Sequence, residues 1–195
     1  MCIRDRIKAG GIVVPLDSRY IVDELACIFD DCQPKVLVAE SPTINSLVQD
    51  LSRFDSIEHV IDMGSEYKEQ FTSYQGIMTT SSAQRVKVEP AADDIAIISY
   101  TGGPTNRPHG VMLSHRSICT EAITSGDVFQ QTDKDIVMMF ALPMYHMFGL
   151  TAVLLASIEK GSTIVVVPGT GRSIDSFMEA VEKEKGTIYM GVPYI

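Results

Sequence analysis

A chain of 195 residues, 45% hydrophobic and 21% charged, can bury one sizeable core, and its composition excludes a disordered, fibrous or disulfide-stapled class. Asp and Glu total 25 against 16 Lys and Arg, a formal charge of −9, and no basic cluster forms, which excludes nucleic acid as a partner. The cysteines Cys2, Cys27, Cys32 and Cys119 lack paired ligand spacing, so they read as reduced thiols and no metal site is predicted.

The opening MCIRDR fits neither strand nor capping logic. Residues 1–6 are set aside as a non-native leader of translated adapter sequence, with native-looking sequence from Ile7. The apolar run Ile12–Leu16 is too short for a signal-peptide core and lacks a small-residue cleavage site, and Ile12–Pro15 reads as a strand. A helix over Ile21–Asp31, a strand over Val36–Ala39, a helix over Thr43–Ser52 and a strand over His59–Asp62 follow. Gly64–Pro90 is polar and turn-rich, and is expected to be a surface excursion. Ile95–Ser99 predicts a strand and Arg116–Phe129 a helix, with Ser114 as N-cap and Arg116 on the surface.

Ile136–Ile158 contains no Asp, Glu, Lys or Arg and is long enough to suggest a membrane span. Pro143, His146 and Gly149 interrupt it, so a strand (Ile136–Ala141), a turn and a buried helix (Phe148–Ile158) describe it better. Met147, Val153 and Leu154, at helical spacing, read as core before pocket lining. Thr163–Val167 predicts a strand. Ser173–Lys185 predicts a helix started by Ser173 with Asp175, stopped by Gly186, and solvated along Glu179, Glu182, Lys183 and Glu184. Thr187–Met190 predicts a last strand. Short apolar strands without alternation, separated by helices, predict an α/β fold: a mostly parallel sheet flanked by helices on both faces.

The densest signal is Ile95 to Arg116, IAIISYTGGPTNRPHGVMLSHR. An apolar β-branched run stops at a loop of Gly, Pro, Thr and Asn, whose backbone N–H groups and hydroxyls can converge on phosphate. It is not a Walker A loop, because Gly110 precedes Val111, and no GxGxxG is present. It resembles the phosphate loop of the AMP-forming acyl-CoA synthetases and ligases, the adenylate-forming superfamily, whose pattern is Y-T-S/G-G-T-T-G-x-P-K-G-V-M-L-S/T-H-R. Tyr100, Thr101, Gly102, Gly103, Thr105, Pro108 and Gly110 to Arg116 stand at matching positions, and Gly102 is similar to the long-chain fatty acyl-CoA ligase variant. AGGIVVPLDSRYIVDELACIFDDCQPKVLVAES, ALPMYHMFGLTAVLLASIEKGSTIVVVP and TIYMGVPYI resemble further family segments. Coumarate–CoA ligases share the likeness.

The resemblance implies that Thr101, Gly102, Gly103, Pro104, Thr105, Asn106, Arg107 and His109 hold the ATP phosphates, and that Tyr145, His146, Phe148 and Gly149 border the acyl and adenylate pocket. It implies ATP, Mg²⁺ and CoA as cofactors and a fatty or aryl carboxylate as substrate. The reaction would be carboxylate plus ATP to acyl-AMP and pyrophosphate, then acyl-CoA. The family's adenine loop, ribose segment, hinge and catalytic Lys have no counterpart here. Residues 7–195 are therefore expected to be part of the large N-terminal adenylation domain, without the C-terminal domain and inactive alone. A cytoplasmic location is expected, with peripheral membrane attachment left open.

The loop departs from the pattern at three positions. Pro104 brings neither hydroxyl nor backbone N–H. Asn106 replaces a Gly but tolerates positive φ. His109 replaces a Lys, exchanging a fixed point charge for an imidazole. Arg107, two residues earlier in an extended segment, faces the same side and is expected to compensate. These departures keep open a non-catalytic homologue acting as a nucleotide-sensing or scaffold module.

Overall fold

The computed structural model describes residues 6–64, 69–84, 86–101, 108–167 and 174–191. The chain divides into two compact units, Met1–Glu89 with Ile98–Met112, and Pro90–Ile97 with Leu113–Ile195.

In the first unit, α1 (Val22–Cys32) buries Leu25, Ile28 and Phe29 on one face. Asp23 and Glu24 sit in its first turn, where carboxylates suit the helix dipole, and Glu24 accepts the Ile21 N–H at 3.0 Å. Gln33 ends it at φ 46°, donating its N–H to the Phe29 carbonyl. Next come β1 (Val36–Ala39), α2 (Ser41–Leu47), β2 (His59–Asp62), β3 (Thr72–Ser73) and α3 (Tyr74–Thr80). β1 and β2 pair in parallel from Val36 with His59 to Ala39 with Asp62, and β3 continues in parallel on β2. The core joins Leu25, Ile28 and Phe29 to Leu47 and Phe54, with Phe29 and Phe54 edge to face at 5.0 Å. The buried Asp62 carboxylate accepts the Ser41 hydroxyl and the Gly64 N–H, each at 2.8 Å, as a buried charge requires.

Several expectations are corrected here. Ile12–Pro15 is not a strand; Val13 alone makes a bridge, its carbonyl accepting the Ile98 N–H, and Pro15 has no N–H to extend it. The helix placed at Thr43–Ser52 starts earlier and ends sooner, because Pro42 suits a first turn, and a short 3₁₀ turn follows at Leu51–Arg53. The excursion Gly64–Pro90 contains β3 and α3, the latter capped by Ser73 Oγ accepting the Gly76 N–H. No α3 residue is buried, so it has no apolar period to read.

Strand β4 (Ile95–Thr101) and β5 (His109–Ser114) form a two-stranded sheet. β5 was not foreseen; its first four residues are exposed, so the strand carries no buried face.

In the second unit, α4 (His115–Val128) begins as expected, with Ser114 Oγ accepting the Ser117 N–H at 3.2 Å. Arg116 is exposed and pairs with Asp93 at 2.8 Å. β6 (Ile136–Phe140) lies between β7 (Thr163–Val167) and β8 (Ile188–Tyr189), parallel to both. Its alternate residues face opposite ways. Val137 and Met139 pack with Val153 and Phe148, while Met138 and Phe140 pack with Phe177, Ala180 and Val181 of α6 (Ile174–Glu184). Helices therefore cover both faces of this parallel sheet, as the strand pattern predicts.

The helix expected over Phe148–Ile158 is a π-helix over Phe148–Leu155 that continues as α5 (Ala156–Lys160). Its run is apolar on every side, so no period separates the two windings. Ser173 lies outside the described residues. At the other end of α6, Lys185 takes the left-handed turn at φ 56°, and Gly186 serves a close approach instead, since a Cβ there would lie 2.5 Å from Met138 Cγ. No helix among the described residues is long and apolar enough to cross a membrane.

Candidate functional site

The candidate residues fall into two groups, one in each unit. In the first, Thr101 closes β4 and His109 opens β5, both exposed. Gly102, Gly103, Pro104, Thr105, Asn106 and Arg107, with the compensation expected of Arg107, lie outside the described residues. A Cβ on Gly110 would sit 2.9 Å from Ile98 Cγ2 and 3.0 Å from Tyr100 Cζ, so only glycine lets the Tyr100 ring cross at this point. The Tyr100 hydroxyl donates to Asp31 Oδ2, in the last turn of α1, at 2.5 Å. Burial first, and the Asp31 carboxylate second, push the Tyr100 hydroxyl far above the usual phenol range, which keeps it a donor. Burial also raises the neighbouring Cys32 thiol, against a hydrogen bond with Tyr100. Sequence reading placed Tyr100 in the motif but missed this contact, because its partner is 69 residues away.

The second group follows the carboxyl end of β6, the side on which open parallel sheets take their ligands. Ala141 turns the chain at φ 54°, a strained conformation for a residue with a Cβ. Leu142 and Pro143 lead into a turn in which the His146 N–H donates to the Pro143 carbonyl at 3.1 Å. His146 is exposed, and its Nδ1 accepts the Phe148 N–H at 3.2 Å. With Nδ1 an acceptor, the neutral ring carries its proton on Nε2, which remains a donor. A Cβ on Gly149 would lie 2.6 Å from the Pro143 carbonyl oxygen, so glycine is required where the π-helix starts beneath the turn. Tyr145 is half-buried, and Phe148 packs into the core beside Val137, Met139 and Val153. Val153 and Leu154 are core, as expected. π-Helical turns are frequent at functional sites, and this one supports the His146 turn directly, the His146 carbonyl accepting the Leu150 N–H at 3.0 Å. The strained Ala141 and the π winding carried no sequence signal.

The family pattern of the AMP-binding enzymes matches residues 7–195. The chain is 29% identical over 194 residues to an oxalate–CoA ligase of Arabidopsis thaliana, covering 97% of this chain and 36% of that protein. It is 31% identical over 170 residues to 4-coumarate–CoA ligase 1 of Narcissus pseudonarcissus, covering 83% of this chain and 29% of that protein. Among solved structures, ATP-bound MatB from Rhodopseudomonas palustris superposes with a TM-score of 0.84 at 26% identity, over 98% of this chain and 36% of MatB. The chain thus spans about a third of the length of the relatives it matches. With a family pattern running almost from end to end and the expected α/β architecture beneath it, the chain belongs to the AMP-binding enzymes, the adenylate-forming ligases.

Proposed function

We propose that this chain is part of the adenylation domain of an ATP-dependent carboxylate-activating ligase. A carboxylate oxygen attacks the α-phosphorus of ATP, the bond to the β-bridging oxygen breaks, and pyrophosphate leaves. The CoA thiolate then attacks the acyl carbonyl and displaces AMP. The observation that carries this reading is the Tyr100–Arg116 motif, seated on β4 and β5 inside a family match that runs over residues 7–195.

In this reading Thr101 and His109 stand at the two ends of a loop whose members Gly102, Gly103, Pro104, Thr105, Asn106 and Arg107 hold the β- and γ-phosphates. Donors preset around the departing pyrophosphate stabilise charge where it develops, the largest single contribution in many enzymes. His146 Nε2–H donates to the carboxylate and then to the acyl-adenylate, with Tyr145, Phe148 and Gly149 shaping the turn that holds it. Among the described residues no three His, Cys, Asp or Glu side chains come together as a metal site. Mg²⁺ would enter with ATP, held through phosphate oxygens and water. The acyl group is a fatty or aryl acid, the location cytoplasmic. The 195 residues alone are not expected to turn over, since they correspond to about a third of the relatives.

The loop substitutions favour one other reading, a non-catalytic homologue that senses nucleotide or serves as a scaffold. Pro104 removes a donor and His109 a fixed charge from the phosphate cradle. Grafting residues 7–195 in place of the matching segment of an active 4-coumarate–CoA ligase separates the two. Carboxylate-dependent ATP–pyrophosphate exchange by the graft supports the ligase reading. Exchange that appears only after Pro104→Thr with His109→Lys supports the non-catalytic one.

A further inference from the structure

We propose that Thr151 is a positioning residue for His146. Its hydroxyl fixes the Met147–Phe148 peptide unit, and through that peptide it holds the His146 ring with Nδ1 as acceptor and the proton on Nε2. The inference rests on the reading in which His146 Nε2–H meets the substrate carboxylate.

One peptide unit carries both bonds. Its carbonyl, on Met147, accepts the Thr151 hydroxyl at 2.8 Å. Its N–H, on Phe148, donates to His146 Nδ1 at 3.2 Å. Hydrogen bonds linked through one amide polarise each other, so a donor on the carbonyl makes the N–H a stronger donor. Phe148 opens the π-helix, and an N–H in a first turn has no carbonyl of its own helix to reach. The imidazole takes that place. It does so only as the Nε2–H tautomer, since a proton on Nδ1 would set donor against donor. The His146 backbone is already held on both sides, its N–H donating to the Pro143 carbonyl at 3.1 Å and its carbonyl accepting the Leu150 N–H at 3.0 Å. What remains to be fixed is the ring, and an exposed ring has little packing to fix it. Thr151 is buried, 4% exposed, so its hydroxyl is committed to a protein partner. Ser157 makes a like bond at the other end of the π-helix, donating to the Val153 carbonyl at 2.6 Å, but the peptide it reaches, Val153–Leu154, adjoins no histidine.

The test is long-range proton–nitrogen NMR of the imidazoles in the whole chain at about pH 8, where free histidine is neutral. The signals lost in His146→Gln identify His146 among the four histidines. The unchanged chain is expected to show one His146 tautomer, with Nδ1 bare and the proton on Nε2. Thr151→Val, which keeps the branched shape and removes the hydroxyl, is expected to bring the two ring-nitrogen resonances toward each other as the second tautomer appears. Thr151→Ser, which keeps the donor, is expected to restore them. That rescue is one a general loss of packing would not produce, since serine packs less than valine. Should Thr151→Val fail to fold, Thr151→Ala makes the same comparison. Identical His146 resonances with and without the hydroxyl overturn the positioning role and leave the carboxylate reading of His146 intact. A mixture of tautomers in the unchanged chain overturns it as well, with no variant needed. A ligase graft whose adenylation rate is unmoved by His146→Ala overturns the carboxylate reading, and this inference with it.

Discussion

At the scale of single residues, His146 and Gly149 do different work within one turn. His146 is exposed, and its Nδ1 accepts the Phe148 N–H. His146→Ala should therefore change the urea midpoint very little, within about 0.5 kcal/mol. In the ligase graft it should lower the rate of adenylation about 100-fold, the scale of one preset donor lost from a transition state. The KM for ATP should stay near its original value. Gly149 is the reverse case. Its missing Cβ would lie 2.6 Å from a backbone oxygen that cannot swing away, so Gly149→Ala should destabilise the chain by about 2 kcal/mol in urea denaturation. Sequence reading singles out Thr101, His109 and the Tyr145–Gly149 turn by their spacing within short motifs. It did not reach the bond from Tyr100 to Asp31, nor the left-handed Ala141, since neither a distant partner nor a strained φ leaves a local pattern.

At the scale of elements, the strands Val36–Ala39, His59–Asp62 and Thr163–Val167 were legible to the residue, being short apolar runs bounded by turn residues. α3 and β5 were not, because neither has a buried face to impose a period. The π-helix was placed but not recognised, since an apolar run gives the same signal in any winding. The start of the central strand β6 is joined to the residue before β8 by a polar clasp that pH can open. Asp135 Oδ2 accepts the Thr132 N–H at 2.7 Å and the Thr132 hydroxyl at 2.8 Å, and Oδ1 accepts the Thr187 hydroxyl at 2.8 Å. Thr187 Oγ1 in turn accepts the Ile136 N–H at 3.0 Å. The Thr132 backbone N–H first, then the Thr132 and Thr187 hydroxyls, hold the Asp135 carboxyl below the usual aspartate range. A carboxyl depressed in the folded state binds fewer protons there than in the unfolded state. Its contribution is complete above the unfolded value and is lost as pH falls through the folded one. Urea midpoints taken from about pH 6 to pH 3 should fall for the unchanged chain, and Asp135→Asn should flatten the lower part of that curve.

At the scale of the whole molecule, the family and its α/β architecture were legible because several separated motifs agree along the chain, and the match over residues 7–195 and the likeness to MatB bear them out. Strand pairing was less so. Among the described residues the strands group as β1–β2–β3, β4–β5 and β7–β6–β8, an order the pattern does not give. Pairing depends on contacts between distant strands, which periodicity does not encode. The central claim is that these residues belong to machinery that attacks ATP at its α-phosphorus. The ligase graft carrying residues 7–195, given a carboxylate and ATP labelled at the α-phosphorus, should place the label in acyl-AMP and release unlabelled pyrophosphate. A folded graft that forms no labelled acyl-AMP with short, medium, long or aryl acids, even with Pro104→Thr and His109→Lys, would contradict it.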